Sequence, residues 1–153
     1  MDCSEKWMQI ALHEAARAAE AGEIPVGAVI VKDGEEVARA HNLCETQHDP
    51  TAHAEVLAIR AAAQRLGSWR LSGCTLYVTL EPCPMCTGAA INARLDRIVY
   101  AAKDPRAGAC GSLCNLPAYP LECRPECIGG VCADEARALL RDFFQKKRNR
   151  KTQ

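Results

Sequence analysis

The sequence has no net charge. Nineteen Lys and Arg balance nineteen Asp and Glu, so no strong global charge advertises a nucleic-acid partner. It has no apolar run near the roughly 18–20 residues that a membrane-spanning helix needs. Its opening, MDCSEKWMQIALHEAARAAEAGE, is charged and amphipathic throughout and lacks the basic-then-apolar order of a signal peptide. A cytoplasmic protein with no membrane association is expected. There is no internal repeat, no linker and no sign of a second domain. Hydrophobic residues at 48% and charged residues at 25% exclude a disordered tail, a collagen-like repeat and a coiled coil. A length of 153 residues suits one domain, spanning 1–153.

The charge balance hides an asymmetry. Residues 141–153 hold six basic residues and one acidic, a net of +5, while residues 1–140 carry −5. The chain thus ends in a short basic segment, within a terminal helix and tail of about 134–153, that can attract phosphate locally. Cysteine is abundant, with ten residues. Thiols stay reduced in the cytosol, so metal binding or catalysis is a better reading than a disulfide framework.

Apolar spacing predicts a helix over about 4–20, where Trp7, Ile10, Ala11, Ala15 and Ala18 recur every three or four residues. The run 25–31 reads as a strand that turns at Lys32-Asp33-Gly34 into a return strand over 35–41. A polar loop, 42–51, precedes a helix over about 52–66. A β-branched and aromatic strand follows at 75–80, then a helix from 85 to about 93 and a strand at 97–101. Residues 103–132 read as irregular. A last helix is expected to start near Asp134 as N-cap, with Ala136, Leu139, Leu140 and Phe143 on one face. Strands alternating with helices predict a layered α/β domain.

Two short motifs carry chemistry. His53-Ala54-Glu55 stands at the start of the second predicted helix, and Pro82-Cys83-Pro84-Met85-Cys86 at the start of the third. A Cys-x-x-Cys pair at a helix N-terminus can place both sulfurs on one side of the first turn, where the helix dipole lowers thiolate pKa values. Two thiolates and one imidazole are ligand types that Zn²⁺ prefers, and three protein ligands leave a fourth position for water. The spacing lets the Glu55 carboxylate act beside that position as a proton shuttle. Singly, each piece has an ordinary explanation: a capping or core histidine, a redox Cys-x-x-Cys, a first-turn acid. Jointly, H-x-E followed by P-C-x-x-C is the signature of zinc nucleobase deaminases.

Longer stretches sharpen this. Residues 48–55 (HDPTAHAE), 76–89 (LYVTLEPCPMCTGA), 24–29 (IPVGAV), 108–113 (GACGSL) and 142–144 (DFF), with Asp104, resemble the bacterial tRNA-specific adenosine deaminases over about 6–148. The resemblance implies a three-layer α/β/α cytidine-deaminase-like fold with a central five-stranded mixed sheet, and a homodimer. It implies one Zn²⁺ per subunit on His53, Cys83 and Cys86, with Glu55 as general acid/base. The implied reaction is hydrolytic deamination of adenosine to inosine at the wobble position of a tRNA anticodon stem-loop. It further implies that Asn42 hydrogen-bonds the flipped base, that Ala54, Val26, Leu80 and Pro82 wall the pocket, and that Asp104 meets the target ribose, where a 2′-OH contact favours RNA.

An adenine inside a stem is out of reach, so a loop base must splay out. Phe144 is placed to stack a neighbouring base, with core packing as its alternative; Phe143 reads as core. Lys146, Lys147, Arg148, Arg150 and Lys151 would meet phosphate. Where the family carries an Asn-His pair before the last strand, this chain has Glu122-Cys123. The spacings Cys110/Cys114 and Cys123/Cys127 fit either a second structural zinc site or scattered apolar thiols. The alternative function is deamination of a free base or nucleoside of the guanine or cytosine type, against which the basic C-terminal segment and Asp104 stand. A non-catalytic zinc-bearing subunit is a third reading, which Glu55 opposes.

Overall fold

The computed structural model describes residues 3–151; Met1, Asp2, Thr152 and Gln153, the ends of the expected single domain, lie outside the described residues. The first helix, α1 (Cys3–Glu20), buries Trp7, Met8, Ala11, Leu12, Ala15 and Ala18. It lies directly on the first strand, β1 (Gly27–Lys32). The approach is close: a Cβ at Gly27 would overlap the Ala11 carbonyl oxygen and the Ala15 nitrogen. β1 turns into β2 (Glu35–His41) through Asp33 and Gly34, with φ of 53° and 75°. Two successive positive φ values match the twist of an antiparallel hairpin.

Next come α2 (Cys44–Gln47), α3 (Ala54–Leu66), β3 (Cys74–Leu80), α4 (Pro84–Asn92) and β4 (Arg97–Ala102). A 3-10 turn (Leu116–Ala118), β5 (Glu126–Ile128) and α5 (Ala133–Lys151) complete the chain. The strands form one sheet in the order β2-β1-β3-β4-β5. β1 is antiparallel to β2 and β3, whereas β3, β4 and β5 run parallel. The sheet is therefore mixed, as expected, and α4 supplies the crossover that a parallel β3/β4 pair requires.

Alternate side chains of the strands go to opposite faces. Ala28, Ile30, Leu76, Val78, Ile98 and Tyr100 pack with the alanines of α3 and α4. Val29, Val31, Tyr77, Val99 and Ala101 pack with α1 and with Ala136 of α5. The result is the three-layer α/β/α arrangement of the cytidine-deaminase-like fold.

Three local expectations need correction. The segment 103–132 is not wholly irregular, because it contains β5. That strand pairs Glu126, Cys127 and Ile128 with Arg97, Ile98 and Val99. It has only three residues, with Glu126 and Ile128 exposed, too short for a readable alternation. The loop 42–51 contains α2, a single turn held from outside by Glu23. Finally, α5 begins at Ala133, so Asp134 lies in its first turn and bonds Arg137 at 2.5 Å. The helix then runs through the basic residues to Lys151. Among the described residues no helix is long and apolar enough to cross a membrane.

Candidate metal centre and base pocket

His53 and Cys83 are the residues immediately before α3 and α4, both in extended backbone, and Cys86 lies in the first turn of α4. Two helix N-termini thus converge at the carboxyl end of β3. Their positive ends and free N–H groups favour negative sulfur. The His53 Nδ1 stands 3.7 Å from Cys83 Sγ and 3.4 Å from Cys86 Sγ. Three donors at Zn–N and Zn–S bond lengths and a tetrahedral angle would place N and S about 3.6 Å apart, so the donor set fits a zinc ion. Among the described residues, this is the only group of three or more metal-competent side chains with mutually close ligand atoms. The other cysteines fit the reading of scattered apolar thiols: Cys110 and Cys127 pack into the core, and Cys123 bonds the Leu95 carbonyl oxygen.

The electrostatics of the trio suit metal binding. The hydrogen bond from Cys86, aided by His53, outweighs burial and pulls the Cys83 thiol down to about 4. The same contact and burial push Cys86 up. The hydrogen bond with Cys83 raises His53 against burial. The two thiols thus share a contact in which one sulfur readily gives up its proton, and metal binding would release the protons that remain.

Glu55, in the first turn of α3, is 4% exposed. Burial pushes its carboxyl up, despite the backbone hydrogen bond and the nearby His53 that lower it. A carboxyl so placed takes up a proton readily and can return it.

A cavity of about 150 Å³ opens beside the trio, lined by Ile24, Val26, Asn42, His53, Glu55, Leu80, Glu81, Cys83, Asp104 and Ala107. This is well under the roughly 300 Å³ at which pockets for whole drug-sized ligands begin. One planar group fits, and the rest of a larger substrate must stay outside. Asn42 is buried, and its Oδ1 accepts the Ala54 N–H at 2.7 Å. That bond satisfies an unpaired amide of the α3 N-terminus and leaves the Asn42 NH₂ for a ligand. Asp104 Oδ1 accepts the N–H groups of Arg106 and Ala107 at 3.1 and 3.3 Å, bending the loop so that its carboxylate lies on the rim.

Of the residues expected at the site, the structure brings Val26, Asn42, His53, Glu55, Leu80, Cys83 and Asp104 to the cavity. Cys86 is buried beneath it. Ala54 and Pro82 adjoin lining residues: the Ala54 N–H donates to Asn42, and the Pro82 carbonyl accepts the Ala109 N–H at 2.8 Å. Phe144 lies farther out. It is 41% exposed, makes an edge contact with Phe143, and lines a groove of about 570 Å³ with Arg106, Lys147, Arg148 and Lys151. Phe143 is only half-buried and does not join the core. It lines a narrow cleft, with Lys147, that shares Ile24, Asn42 and His53 with the cavity. A chain leaving the cavity therefore meets the basic face of α5.

Sequence reasoning missed two buried glutamates that shape the rim. Glu23 accepts the N–H groups of Glu45 and Thr46 and the Thr46 hydroxyl, at 3.0, 2.7 and 2.6 Å. Glu81 accepts the N–H groups of Asp104, Cys110 and Ser112, at 3.1, 3.0 and 3.1 Å, and the Ser112 hydroxyl. In both, burial works upward, yet the donors prevail and hold the carboxyl below its ordinary range. The available signal for Glu81 was an acid wedged between an apolar strand and a metal-ligand motif, where no metal role needs it.

Comparison with known proteins agrees with this geometry. Residues 1–102 match the family described as the cytidine and deoxycytidylate deaminase zinc-binding region. The tRNA-specific adenosine deaminase of Bacillus subtilis is 47% identical over 99% of this chain and 94% of its own. A solved structure from work on A-to-I editing by tRNA:A34 deaminases superposes with a TM-score of 0.86 at 43% identity, covering 88% of this chain and 99% of that one. Guanine deaminase from Bacillus subtilis matches less of the chain, 65%, at a TM-score of 0.62 and 48% identity. A trio fit for zinc, a buried acid beside it and near full-length similarity lead to one conclusion: the chain belongs to the zinc-dependent deaminase family, in its tRNA-specific adenosine deaminase branch.

Proposed function

We propose that this chain converts adenosine to inosine at the wobble position of a tRNA anticodon, releasing ammonia. The observation that carries the reading is a cavity sized for one base whose exit leads to the basic face of α5, where Phe144, Arg106, Lys147 and Arg148 meet. A free base or nucleoside has no use for that groove.

His53, Cys83 and Cys86 would hold zinc, which supplies Lewis-acid activation of a water molecule. The Asn42 NH₂ donates to the splayed-out base and fixes its plane. Val26 and Leu80 flank it and exclude bulk water, which strengthens each polar contact. Glu55 takes one proton from the attacking water and delivers it to the ring nitrogen beside carbon 6, then takes the second from the new C6 hydroxyl and delivers it to the amine, which leaves as ammonia while C6=O forms. The new bond is C6–O and the broken one C6–N, and no electrons leave or enter. Asp104 meets the ribose at the rim, where a 2′-OH contact selects RNA.

A homodimer in the cytoplasm belongs to the same reading, as does a single domain over the whole chain. What supports the dimer is α4, whose inner face is buried and whose outer face carries Met85, Gly88 and Ala89. A helix apolar on both sides asks for cover.

The test is to incubate zinc-loaded protein with a synthetic anticodon stem-loop bearing a wobble adenosine and sequence for inosine, beside a Glu55→Ala variant. Conversion by the wild type alone upholds the reading. No conversion of RNA together with turnover of free guanine would replace it with the activity named for the Bacillus subtilis guanine deaminase.

A further inference from the structure

Glu81 is 2% exposed and stands between the end of β3 and the Pro82-Cys83 turn. Its Oε1 accepts the Asp104 N–H and the Ser112 hydroxyl; its Oε2 accepts the N–H groups of Cys110 and Ser112. Four donors occupy the four lone-pair directions of a carboxylate. Glu81 borders the cavity, but with both oxygens so engaged it has no capacity left for moving protons. All four donors belong to one loop, 104–112, and that loop carries Asp104 and Ala107 onto the cavity rim. Gly108 lies against the clamp, where a Cβ would overlap the Glu81 carboxylate and the Asp104 carbonyl oxygen. The loop has backbone bonds of its own, among them Gly108 N–H to the Asp104 carbonyl and Ala109 N–H to the Pro82 carbonyl, but the Asp104 N–H itself is held by Glu81, so this carboxylate sets where Asp104 sits.

We propose that Glu81 is a positioning residue that clamps the 104–112 loop, placing Asp104 against the target ribose and thereby setting both substrate affinity and the preference for ribose over deoxyribose. This rests on the reading of Asp104 given above. Glu81→Gln is the informative change. Its NH₂ must replace one oxygen. On the Oε2 side it would face two backbone N–H groups, which cannot accept. On the Oε1 side the Ser112 hydroxyl can rotate and accept. The amide therefore turns that way and opposes the Asp104 N–H, releasing the residue in question.

Steady-state kinetics on the anticodon stem-loop, with adenosine or 2′-deoxyadenosine at the target, reads the consequence. Glu81→Gln should retain one zinc per chain, raise KM about tenfold and change kcat less than about threefold, with ribose and deoxyribose substrates drawing level. Gly108→Ala, which displaces the loop while keeping Glu81, should do the same. Asp104→Ala should reproduce the loss, and Glu81→Gln added to it should cost nothing more, as for two residues acting through one contact. A lower kcat at unchanged KM, an unchanged ribose preference, lost zinc, or losses that add would overturn the proposal. Amide hydrogen exchange gives an arm independent of turnover: Asp104 should exchange faster in Glu81→Gln, while Cys110 and Ser112, still bonded to the remaining carbonyl oxygen, should change little, and unchanged protection at Asp104 refutes the clamp. A wild type inactive on the RNA would fail the functional reading, while exchange would still decide the clamp itself.

Discussion

Asn42 does two things with one amide, and two substitutions separate them. Its oxygen accepts the Ala54 N–H at 2.7 Å in a buried setting. Asn42→Ala removes the acceptor and leaves an N–H of the α3 N-terminus without a partner. An unsatisfied buried donor costs about 1–3 kcal/mol, and loss of a capping side chain about 0.5–2 kcal/mol. These describe the same bond and do not add, so about 2 kcal/mol is expected. For a chain of this size each kcal/mol moves Tm by about 2–4 °C, giving a fall of about 4–8 °C. Asn42→Asp keeps an acceptor at the same place, with a charge the helix N-terminus favours, and should lose less than about half as much.

Activity should rank the other way for the aspartate. The carboxylate of the Asn42→Asp variant presents only acceptors, so the donor offered to the base is gone although the helix cap remains. A site deprived of its donor loses about 100-fold in kcat/KM, near 2.7 kcal/mol. Thermal melts of the zinc-loaded proteins and inosine formation on the stem-loop measure the two effects separately. Equal melting losses for alanine and aspartate would refute the capping role. Full activity of the aspartate variant would refute the donor role.

Further expectations follow from the same geometry. Glu55→Gln should lower deamination by at least about a thousandfold yet leave zinc content unchanged by metal analysis, because the carboxylate is not one of the ligand trio. Removing zinc with a chelator should lower Tm in proportion to the affinity for the metal, and Cys83→Ala should make the melt insensitive to chelator. Replacing Lys146, Lys147 and Arg148 with alanine should weaken RNA binding, each lost phosphate contact reducing the slope of log K against log salt by about 0.7; an unchanged slope would remove α5 from the interface. The depressed carboxyls of Glu23 and Glu81 mean that the folded chain binds fewer protons than the unfolded one. Their stabilisation is complete above the ordinary carboxylate range and is lost as pH falls from that range through the lowered folded values. Chemical denaturation between pH 7 and pH 3 should show that loss, with a flatter slope for Glu23→Gln.

The metal centre was legible because its determinants are local. His53 and Glu55 are two residues apart, and Cys83 and Cys86 three; each pair needs only the start of a helix to aim it. Most elements were legible for the same reason, since their faces follow periods of two and 3.6 residues over six or more positions. What escaped was short or held from afar. β5 spans three residues, and its pairing with β4 bridges 29 residues of chain from Arg97 to Glu126. α2 is four residues long, and Glu23, 22 and 23 positions upstream, supplies its cap. No local period encodes such a bond. Ala54 and Pro82 were expected on the pocket wall from the resemblance alone; the bonds they make, Ala54 N–H to Asn42 and the Pro82 carbonyl to the Ala109 N–H, follow from no local pattern.

This division has a physical basis. Reacting groups must be held within a few tenths of an ångström of one another, and the first turn of a helix does that over three or four residues. A rim that admits a bulky substrate must instead be built from loops, which need anchoring beyond their local backbone bonds. Here each rim loop is anchored to the core by a buried carboxylate that satisfies three or four of its donors. Glu23 fastens the turn that follows Asn42, and Glu81 the loop that bears Asp104. A buried charge left without such donors would cost far more than either loop could return. The two glutamates are therefore informative beyond their own bonds. The loops they hold cannot be reshaped for another base without stranding a carboxylate in the interior, so a change of base preference should come from residues at the loop tips, such as Ile24 and Ala107, before it comes from the clamps.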